Sequence, residues 1–543
     1  MLVAAMLLVA ACSAGKAAPA TAPAAPSQTV LTADERRISG AVTSYRGLVT
    51  VRDAKKHTYL SSAIVVRPGA GKSSTTAPAA PSAEEASRAR AEMAEFLRAN
   101  GAELADLTGR ESLRLRAILR AGGRQAPAAA SRLCDALRCQ WAEPLAHAGA
   151  ASPQRLDEAC RLAALVARQF ADPNASPGWT AAADLARSSL PMELKLSIFR
   201  YACALPGAER ADQWRRSDFT RPRTGGKYFY YAAVPPGYTP RRAWPALIAL
   251  HGQTASAESQ GGIWGAAAMR AGMVLISPEY IYGRQFGYTY GQDERWSVVG
   301  ALRHAARRFH IDMDRVYLTG YSQGGHACWD IGMGQSGCFA GVLPMIGVGR
   351  ARQCHANLRN TALYCVDGSE NGEAPKFNRE SIAALAAMGA DATYVEYVGR
   401  GHDVFFEEFP AMLAWMGRHV RDPAAREARL VAVRDFDTQG AWLRIVETSV
   451  KLPSRLQFPS PQASVEARAD RNVIRVSSRN VRRLEVLLPA GLIDFAKPLT
   501  VYAGPRRVFH GRITPDWTLA FREAAAAADR MAVYLGKIDV AAR

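Results

Sequence analysis

The sequence predicts an α/β domain built on a mostly parallel sheet with helices on both faces. A helical region precedes it and a small β-rich domain follows. Three observations predict this order. Within residues 216–424, short apolar runs alternate with helical stretches, the texture of strand–helix–strand units. Between about Ala86 and Trp214, Ala, Leu and Arg recur at helical spacing, as in Phe96, Leu97, Leu104, Leu107 and Leu113. From about Leu430 onward, strand-like runs follow one another without helical spacers.

The length allows this. At 543 residues, the chain has room for roughly three or four domains of ordinary size. The hydrophobic fraction of 48%, the charged fraction of 22% and a mean hydropathy of −0.12 describe a globular protein, not a disordered or fibrous one. No uncharged apolar run reaches the roughly 20 residues of a membrane-spanning helix, which excludes a multi-span protein. A net charge of +19 and nine cysteines need explanation.

Residues 1–12 read as an export signal. Met1 to Ala11 is apolar and ends in small residues. The stretch Val9-Ala10-Ala11-Cys12 resembles the bacterial lipobox, which implies that Cys12 is lipidated and becomes the first mature residue. No Lys or Arg precedes the apolar run, which departs from a usual signal. The alternative is an ordinary signal peptide. Both readings place the chain outside the cytoplasm, in the cell envelope or secreted. Residues 13–29 form an Ala/Pro-rich tether.

Export sets the reading of the other cysteines. Cys134, Cys139, Cys160 and Cys203 lie in one region, and Cys328, Cys338, Cys354 and Cys365 in another. An even number in each, in an oxidising compartment, predicts disulfides of unspecified pairing. The C-x4-C spacing of Cys134 and Cys139 lacks a second Cys or His pair, which argues against a zinc site.

Residues 30–66 contain alternating runs such as Gly47-Leu48-Val49-Thr50-Val51 and read as a small β-rich segment. Residues 67–85 are a Gly/Ser/Thr/Ala/Pro linker. Its Gly69-Ala70-Gly71-Lys72-Ser73 falls short of a phosphate loop, because Val66 stands where the first Gly belongs and no helix pattern follows. Residues 86–215 are the helical region and show no catalytic pattern.

In the α/β domain the predicted strands are Tyr228–Val234, Ala246–Leu250, Met273–Ser277, Arg315–Thr319, Gly341–Ile346, Ala362–Val366 and Thr393–Val398. Active residues of such sheets gather beyond the carboxyl ends of the strands. There, after Arg315–Thr319, stands Gly320-Tyr321-Ser322-Gln323-Gly324-Gly325. This is G-x-S-x-G between a strand and a helix. The tight turn strains the Ser backbone, and side chains two residues either side would collide with neighbouring elements. Ser322 is the candidate nucleophile.

The strand Ala246–Leu250 runs into His251-Gly252-Gln253-Thr254. The elbow needs a second oxyanion donor from this loop, so the N–H groups of Gln253 and Gln323 are the candidate oxyanion hole. His251 reads as a brace for the loop. Five His follow Ser322: His326, His355, His402, His419 and His510. Only His402 occupies a Gly-flanked turn between a strand and a helix, Gly399-Arg400-Gly401-His402, and it is the candidate general base.

The stretch Asp314–Gly325, followed by Phe339-Ala340-Gly341-Val342, resembles the α/β-hydrolase superfamily. Its nearest look is to bacterial secreted esterases of the polyhydroxyalkanoate-depolymerase and phospholipase/carboxylesterase type. The resemblance covers about 200 of the 543 residues. It implies an α/β-hydrolase sheet and hydrolysis of a small-molecule or polymer ester through an acyl-enzyme, with no cofactor and no metal. The family commonly places its triad Asp three residues after a Gly beyond the seventh strand. Here that position, in Val366-Asp367-Gly368-Ser369-Glu370-Asn371, is Asn371. Three repairs are open. Glu370 could reach with its longer side chain, Asp367 could turn in from the strand end, or Asn371 could orient His402 as a neutral partner. Glu370 is preferred by a small margin over Asp367.

The loop Glu279–Trp296 carries Tyr280, Tyr282, Phe286, Tyr288, Tyr290 and Trp296. These aromatics either wall a substrate cleft or pack the loop onto the domain. Residues 425–543 read as a β-sandwich-like tail. Of the 68 cationic residues, 10 are Lys and 58 are Arg, dispersed with no basic arm or nucleic-acid motif. Attraction to anionic lipid or cell-wall polymer is the expected use of that charge. The function expected is therefore an exported serine hydrolase of an ester. The alternatives are a serine peptidase of the same fold, or a non-catalytic envelope protein because of Asn371. Oligomeric state has no sequence signal.

Overall fold

The structure is a computed structural model. It describes five strands between residues 28 and 66, residues 153–171 and 180–202, and residues 214–542 apart from 223, 241–242 and 282–286. The signal, tether, linker and residues 86–152 fall outside the described residues, and with them Cys12, Cys134, Cys139 and Cys203.

The centre of the molecule is a parallel sheet. Its strands are β8 (Trp244–Leu250), β9 (Val274–Pro278), β10 (Ile311–Tyr321), β11 (Gly341–Met345), β12 (Ala362–Gly368) and β13 (Ala392–Tyr397). They lie in the order β13-β12-β11-β10-β8-β9. Successive side chains point to opposite faces, so Ile248, Ile276 and Leu318 enter one core while Leu247, Leu275 and Leu343 enter the other. Burial on both faces explains why these strands read as continuous apolar runs. Helices α5 (Gln292–Ala306), α6 (Gln323–Gly334) and α7 (Ala374–Ala387) supply Val298, Leu302, Ile331 and Ile382 to the first core. Helices α4 (Gln260–Arg270) and α8 (Phe409–Met416) supply Trp264, Met412 and Trp415 to the second. Trp264 stacks on Phe409 at 3.9 Å between ring centroids. Strand β8 lies between β9 and β10, so the chain order reverses there and opens a crevice at the strand ends.

At one end of this sheet, β7 (Lys227–Ala233) and β6 (Arg215–Thr220) add antiparallel. At the other, the segment expected as a separate β-rich piece is part of the same sheet. It comprises β1 (Gln28–Thr32), β2 (Arg37–Tyr45), β3 (Leu48–Arg52), β4 (Lys56–Leu60) and β5 (Ala63–Val66). Strand β4 pairs antiparallel with β13, from Thr393↔Leu60 to Tyr397↔Lys56, giving a sheet of 13 strands. The physical reason is that β13 would otherwise be an edge with a row of unpaired N–H and C=O groups.

The tail is a pair of sheets. One contains β14 (Glu427–Ala432), β17 (Ala463–Asp470), β18 (Val473–Arg479), β20 (Leu499–Ala503) and β21 (Arg506–Gly511). The other contains β15 (Gln439–Gly440), β16 (Leu443–Thr448), β19 (Val481–Pro489) and β22 (Tyr534–Ala541). Ala463, Val465, Ala467 and Ala469 alternate inward from β17 and meet Leu484 and Val486 in a shared core.

A helical contact and a buried ion cluster are among the features that join the tail to the rest. Of the region 86–215 read as helical, the described part contains α1 (Pro153–Ala171), α2 (Thr180–Arg187) and α3 (Met192–Tyr201). These pack on α9 (Trp517–Ala527), a tail helix absent from the sequence reading. Phe521 meets Phe199 edge-on at 4.9 Å and stacks on Phe170 at 5.0 Å. The tail also enters the α/β domain through charge. Arg434 donates to Asp330 of α6 at 2.8 Å and to Asp437 at 3.0 Å, Arg295 of α5 bonds Asp437, and all four side chains are buried.

The predicted disulfides of the second cysteine group are not formed. Cys328, Cys338, Cys354 and Cys365 are free thiols. Cys328, Cys354 and Cys365 are buried and fill the core as small hydrophobic side chains, which is how reduced cysteines commonly pack.

Candidate active site

Ser322 lies between β10 and α6 with φ 58° and ψ −117°, a conformation costly for any residue with a side chain. The neighbouring chain holds it there. A Cβ on Gly320 would stand 2.1 Å from the Gly324 carbonyl oxygen. One on Gly324 would stand 2.3 Å from Leu250 O, and one on Gly325 2.3 Å from Met345 O. The three glycines let α6 begin flush against the ends of β8 and β11. Ser322 N–H donates to Met345 O at 3.1 Å, which fixes the turn to β11.

His402 reaches this turn from the other side of the crevice. Its Nε2 is 2.8 Å from Ser322 Oγ, and its Nδ1 is 3.0 Å from Asn371 Oδ1. Gly399 at φ 71° allows the reversal after β13. Arg400 clamps the loop through Asp403 and Glu407. The loop bearing Asn371 packs directly on it: Glu370 N–H donates to Arg400 O at 2.8 Å, and a Cβ on Gly368 would meet that oxygen at 2.2 Å.

The preferred acid, Glu370, is therefore corrected. Asn371 N–H donates to Gly368 O at 3.1 Å, closing a four-residue turn. Neighbouring side chains of such a turn diverge, so Asn371 faces His402 while Glu370 is exposed. Asp367 does not reach His402 either. It is fully buried and accepts from Asn371 Nδ2 at 2.8 Å. It also accepts from Asn378 Nδ2 of α7 at 2.9 Å. Burial pushes its carboxyl up to about 6, against the opposing pull of the Asn371, Gly368 and Asn378 hydrogen bonds. Asn378 was missed in the sequence, where nothing marks a helical Asn as a partner of Asp367.

Gln253 stands exposed in the turn after β8, where Ala255 N–H donates to Gly252 O at 3.2 Å. Gln323 is the first residue of α6, so its N–H has no partner within the helix. Gln253 and Gln323 thus follow adjacent parallel strands, β8 and β10, at the same sheet end as Ser322. Buried His251 braces the loop as expected: Nδ1 is 2.8 Å from Gly252 O and Nε2 is 2.9 Å from Glu279 Oε1. Glu279, at the end of β9, also carried no sequence signal.

His326, His419 and His510 have polar partners, and His355 is buried against the Trp329 ring. His326 Nδ1 accepts from Val348 N–H at 3.0 Å, and burial lowers its pKa. Burial holds His355 down to about 4. His419 lies 3.1 Å from Asp391, and His510 2.9 Å from Thr500 Oγ1. Of the aromatic loop, Tyr280 and Tyr288 pack inward: Tyr280 donates to His251 O and Tyr288 to Asp330, each at 2.7 Å. Tyr282 and Phe286 lie outside the described residues. Among the described residues no three His, Cys, Asp or Glu side chains converge as a metal cage requires.

A mixed α/β fold with a large sheet whose six central strands are parallel thus presents a Ser–His–Asn constellation at its strand ends. No protein-family model and no curated protein sequence matches the chain. Among solved structures, it is similar to a thermostable esterase at 19% identity and TM-score 0.35, covering 39% of this chain and 64% of that one. It is similar to a ferulic acid esterase at 17% and 0.33, covering 38% and 99%. It is also similar to an S-formylglutathione hydrolase of Staphylococcus aureus at 14% and 0.31, covering 38% and 98%.

Proposed function

We propose that the protein is a serine hydrolase that cleaves a carboxylic ester through an acyl-enzyme on Ser322. One observation carries the reading: His402 Nε2 is 2.8 Å from Ser322 Oγ, on a turn whose backbone is strained at φ 58° and hemmed in by glycines. His402 takes the Ser322 proton as Oγ attacks the ester carbonyl, and returns it to the leaving alcohol. The N–H groups of Gln253 and Gln323 receive the oxyanion. Water, deprotonated by the same His402, then releases the acid and restores Ser322.

A fluorophosphonate probe tests this. The wild type labels and Ser322→Ala does not; an unlabelled wild type ends the hydrolase reading and leaves the non-catalytic one. Turnover of p-nitrophenyl esters against peptide amides then separates esterase from peptidase. The same proposal includes export with a lipid anchor on Cys12, supported by the apolar run that ends there. Palmitate incorporation sensitive to globomycin tests the anchor, and unlabelled, conventionally cleaved protein counts against it. The excess of arginine over acid supports attraction to anionic surfaces, which salt-insensitive vesicle binding would contradict.

A further inference from the structure

Three donors converge on Asp367 at the end of β12. Asn371 Nδ2 and Gly368 N–H meet Oδ1, each at 2.8 Å, and Asn378 Nδ2 meets Oδ2 at 2.9 Å. All three are neutral amides. An Asn side chain offers one accepting and one donating end. With Nδ2 committed to the carboxylate, Oδ1 of Asn371 must turn to His402 Nδ1. The opposite amide orientation would set oxygen against carboxylate, so the network itself fixes the assignment.

Resting on the hydrolase reading above, we propose that Asp367 is a positioning residue that acts on His402 through Asn371, the triad carboxylate displaced by one amide. The hydrogen bonds run in one direction: Ser322 Oγ–H to His402 Nε2, His402 Nδ1–H to Asn371 Oδ1, and Asn371 Nδ2–H to Asp367 Oδ1. When His402 accepts the Ser322 proton, no further proton moves. Nδ1 keeps its hydrogen, the amide stays neutral, and Asp367 holds the negative charge that faces the new imidazolium through the polarised amide. A bare amide orients an imidazole without stabilising its charged form, and the buried carboxylate supplies that second property.

The surroundings of Asp367 allow its charge to be felt. Its register partner on β13 is Glu396, which Arg379 of α7 holds at 2.6 Å and the Tyr394 hydroxyl at 3.0 Å. Cys365 precedes Asp367 on β12, and Tyr394 faces it from β13; burial raises the pKa of both. His402 lies beyond Asn371. Burial and the charge of Glu396 delay ionisation of Asp367 to about pH 6. The carboxylate is therefore present at neutral pH and absent in mild acid.

The experiment compares wild type, Asp367→Asn, Asn371→Ala and the double variant Asp367→Asn/Asn371→Asp, with fluorophosphonate-reactive sites counted in each. Asp367→Asn is expected to lose about 10- to 100-fold in kcat with KM unchanged, the scale typical of groups that orient a functional histidine from behind. The acid limb of log kcat/KM is expected to fall more steeply through pH 6 in wild type than in Asp367→Asn, by an added factor no larger than that same range of about 10- to 100-fold. The double variant, with a carboxylate directly at His402, is expected to exceed Asp367→Asn by about tenfold or more. Unchanged kcat and slope in Asp367→Asn, or a double variant no better than it, overturns the proposal. A second readout is independent of turnover. Relative to its course in Asp367→Asn, the His402 Nδ1–H proton resonance of wild type should show an additional step near pH 6 that Asn371→Ala, which cuts the bridge and leaves Asp367, removes. A step that persists in Asn371→Ala overturns the coupling. Failure of the wild type to label sinks the hydrolase reading, and the resonance still decides the link to Asp367.

Discussion

Arg434 Nη2 donates to Asp330 Oδ1 at 2.8 Å, joining the β-rich tail to the helix that begins at the nucleophile turn. Neither side chain has contact with water worth counting: they are 1% and 4% exposed. A tail bound this way shares an interior with the α/β domain. Asp330→Ala should destabilise the protein by about 3–5 kcal/mol, because it removes one partner of a buried pair and leaves the other charge short of compensation. Denaturant unfolding followed by tryptophan fluorescence would read it, and a loss under about 1 kcal/mol would contradict it.

The turn that carries Ser322 should tolerate no side chain at Gly320 or Gly324. In both, the added methyl meets a backbone carbonyl within 2.3 Å, and a backbone oxygen cannot rotate aside as a side chain does. Gly320→Ala and Gly324→Ala should each cost about 1–3 kcal/mol and slow fluorophosphonate labelling. Wild-type labelling rates in both would show that the glycines are incidental.

His402→Ala removes the base without removing packing, since the side chain is exposed. The expected result is a fall in kcat of about 10²- to 10⁴-fold with little change in Tm. Steady-state kinetics against circular-dichroism melting separates the two effects. A variant that keeps wild-type turnover would exclude His402 as the base.

Stability should carry a signature of Asp367. Its carboxyl is raised from 3.8 to about 6, so between those values the folded protein holds a proton that the unfolded chain has released. Unfolding free energy must then fall as pH rises through this window, by about 3 kcal/mol in all, and the loss persists above it. The stabilising contribution is intact below pH 4. The difference in unfolding free energy between wild type and Asp367→Asn, followed from pH 4 to 7, isolates the effect from other carboxylates. A flat difference would show that the carboxyl is not raised.

The thiols of Cys328, Cys354 and Cys365 should be inert in the native protein. They are buried, and burial raises the pKa of each thiol, leaving almost no thiolate to react. A thiol-reactive chromophore should titrate them only after unfolding. Titration of any of the three in the folded protein would contradict this.

Much of the parallel sheet was readable because strands buried on both faces must be apolar along their whole length. The predicted run Arg315–Thr319 lies inside β10, and Ala362–Val366 inside β12. The nucleophile turn was readable for a different reason: its glycines are demanded by contacts within a few residues of Ser322. What was not readable involved partners far apart in the chain. Strand β4 meets β13 across more than 300 residues, and α1–α3 find their cover in α9, near the other end. Pairing within the second cysteine group was misjudged because an even number and an expected compartment say nothing about where each thiol points.

By itself, the sequence determined the class of fold and two of the three groups in the constellation, Ser322 and His402. Each belongs to a local pattern in which backbone geometry restricts the residues allowed. Only the tertiary structure decided between Glu370, Asp367 and Asn371. These side chains lie within five positions of one another, and composition favours the carboxylates over the amide. The choice fell to the turn closed by Gly368 and Asn371, which points position 371 at His402 and leaves Asp367 buried behind it. Direction in space is set by hydrogen bonds between elements, and no local pattern encodes it.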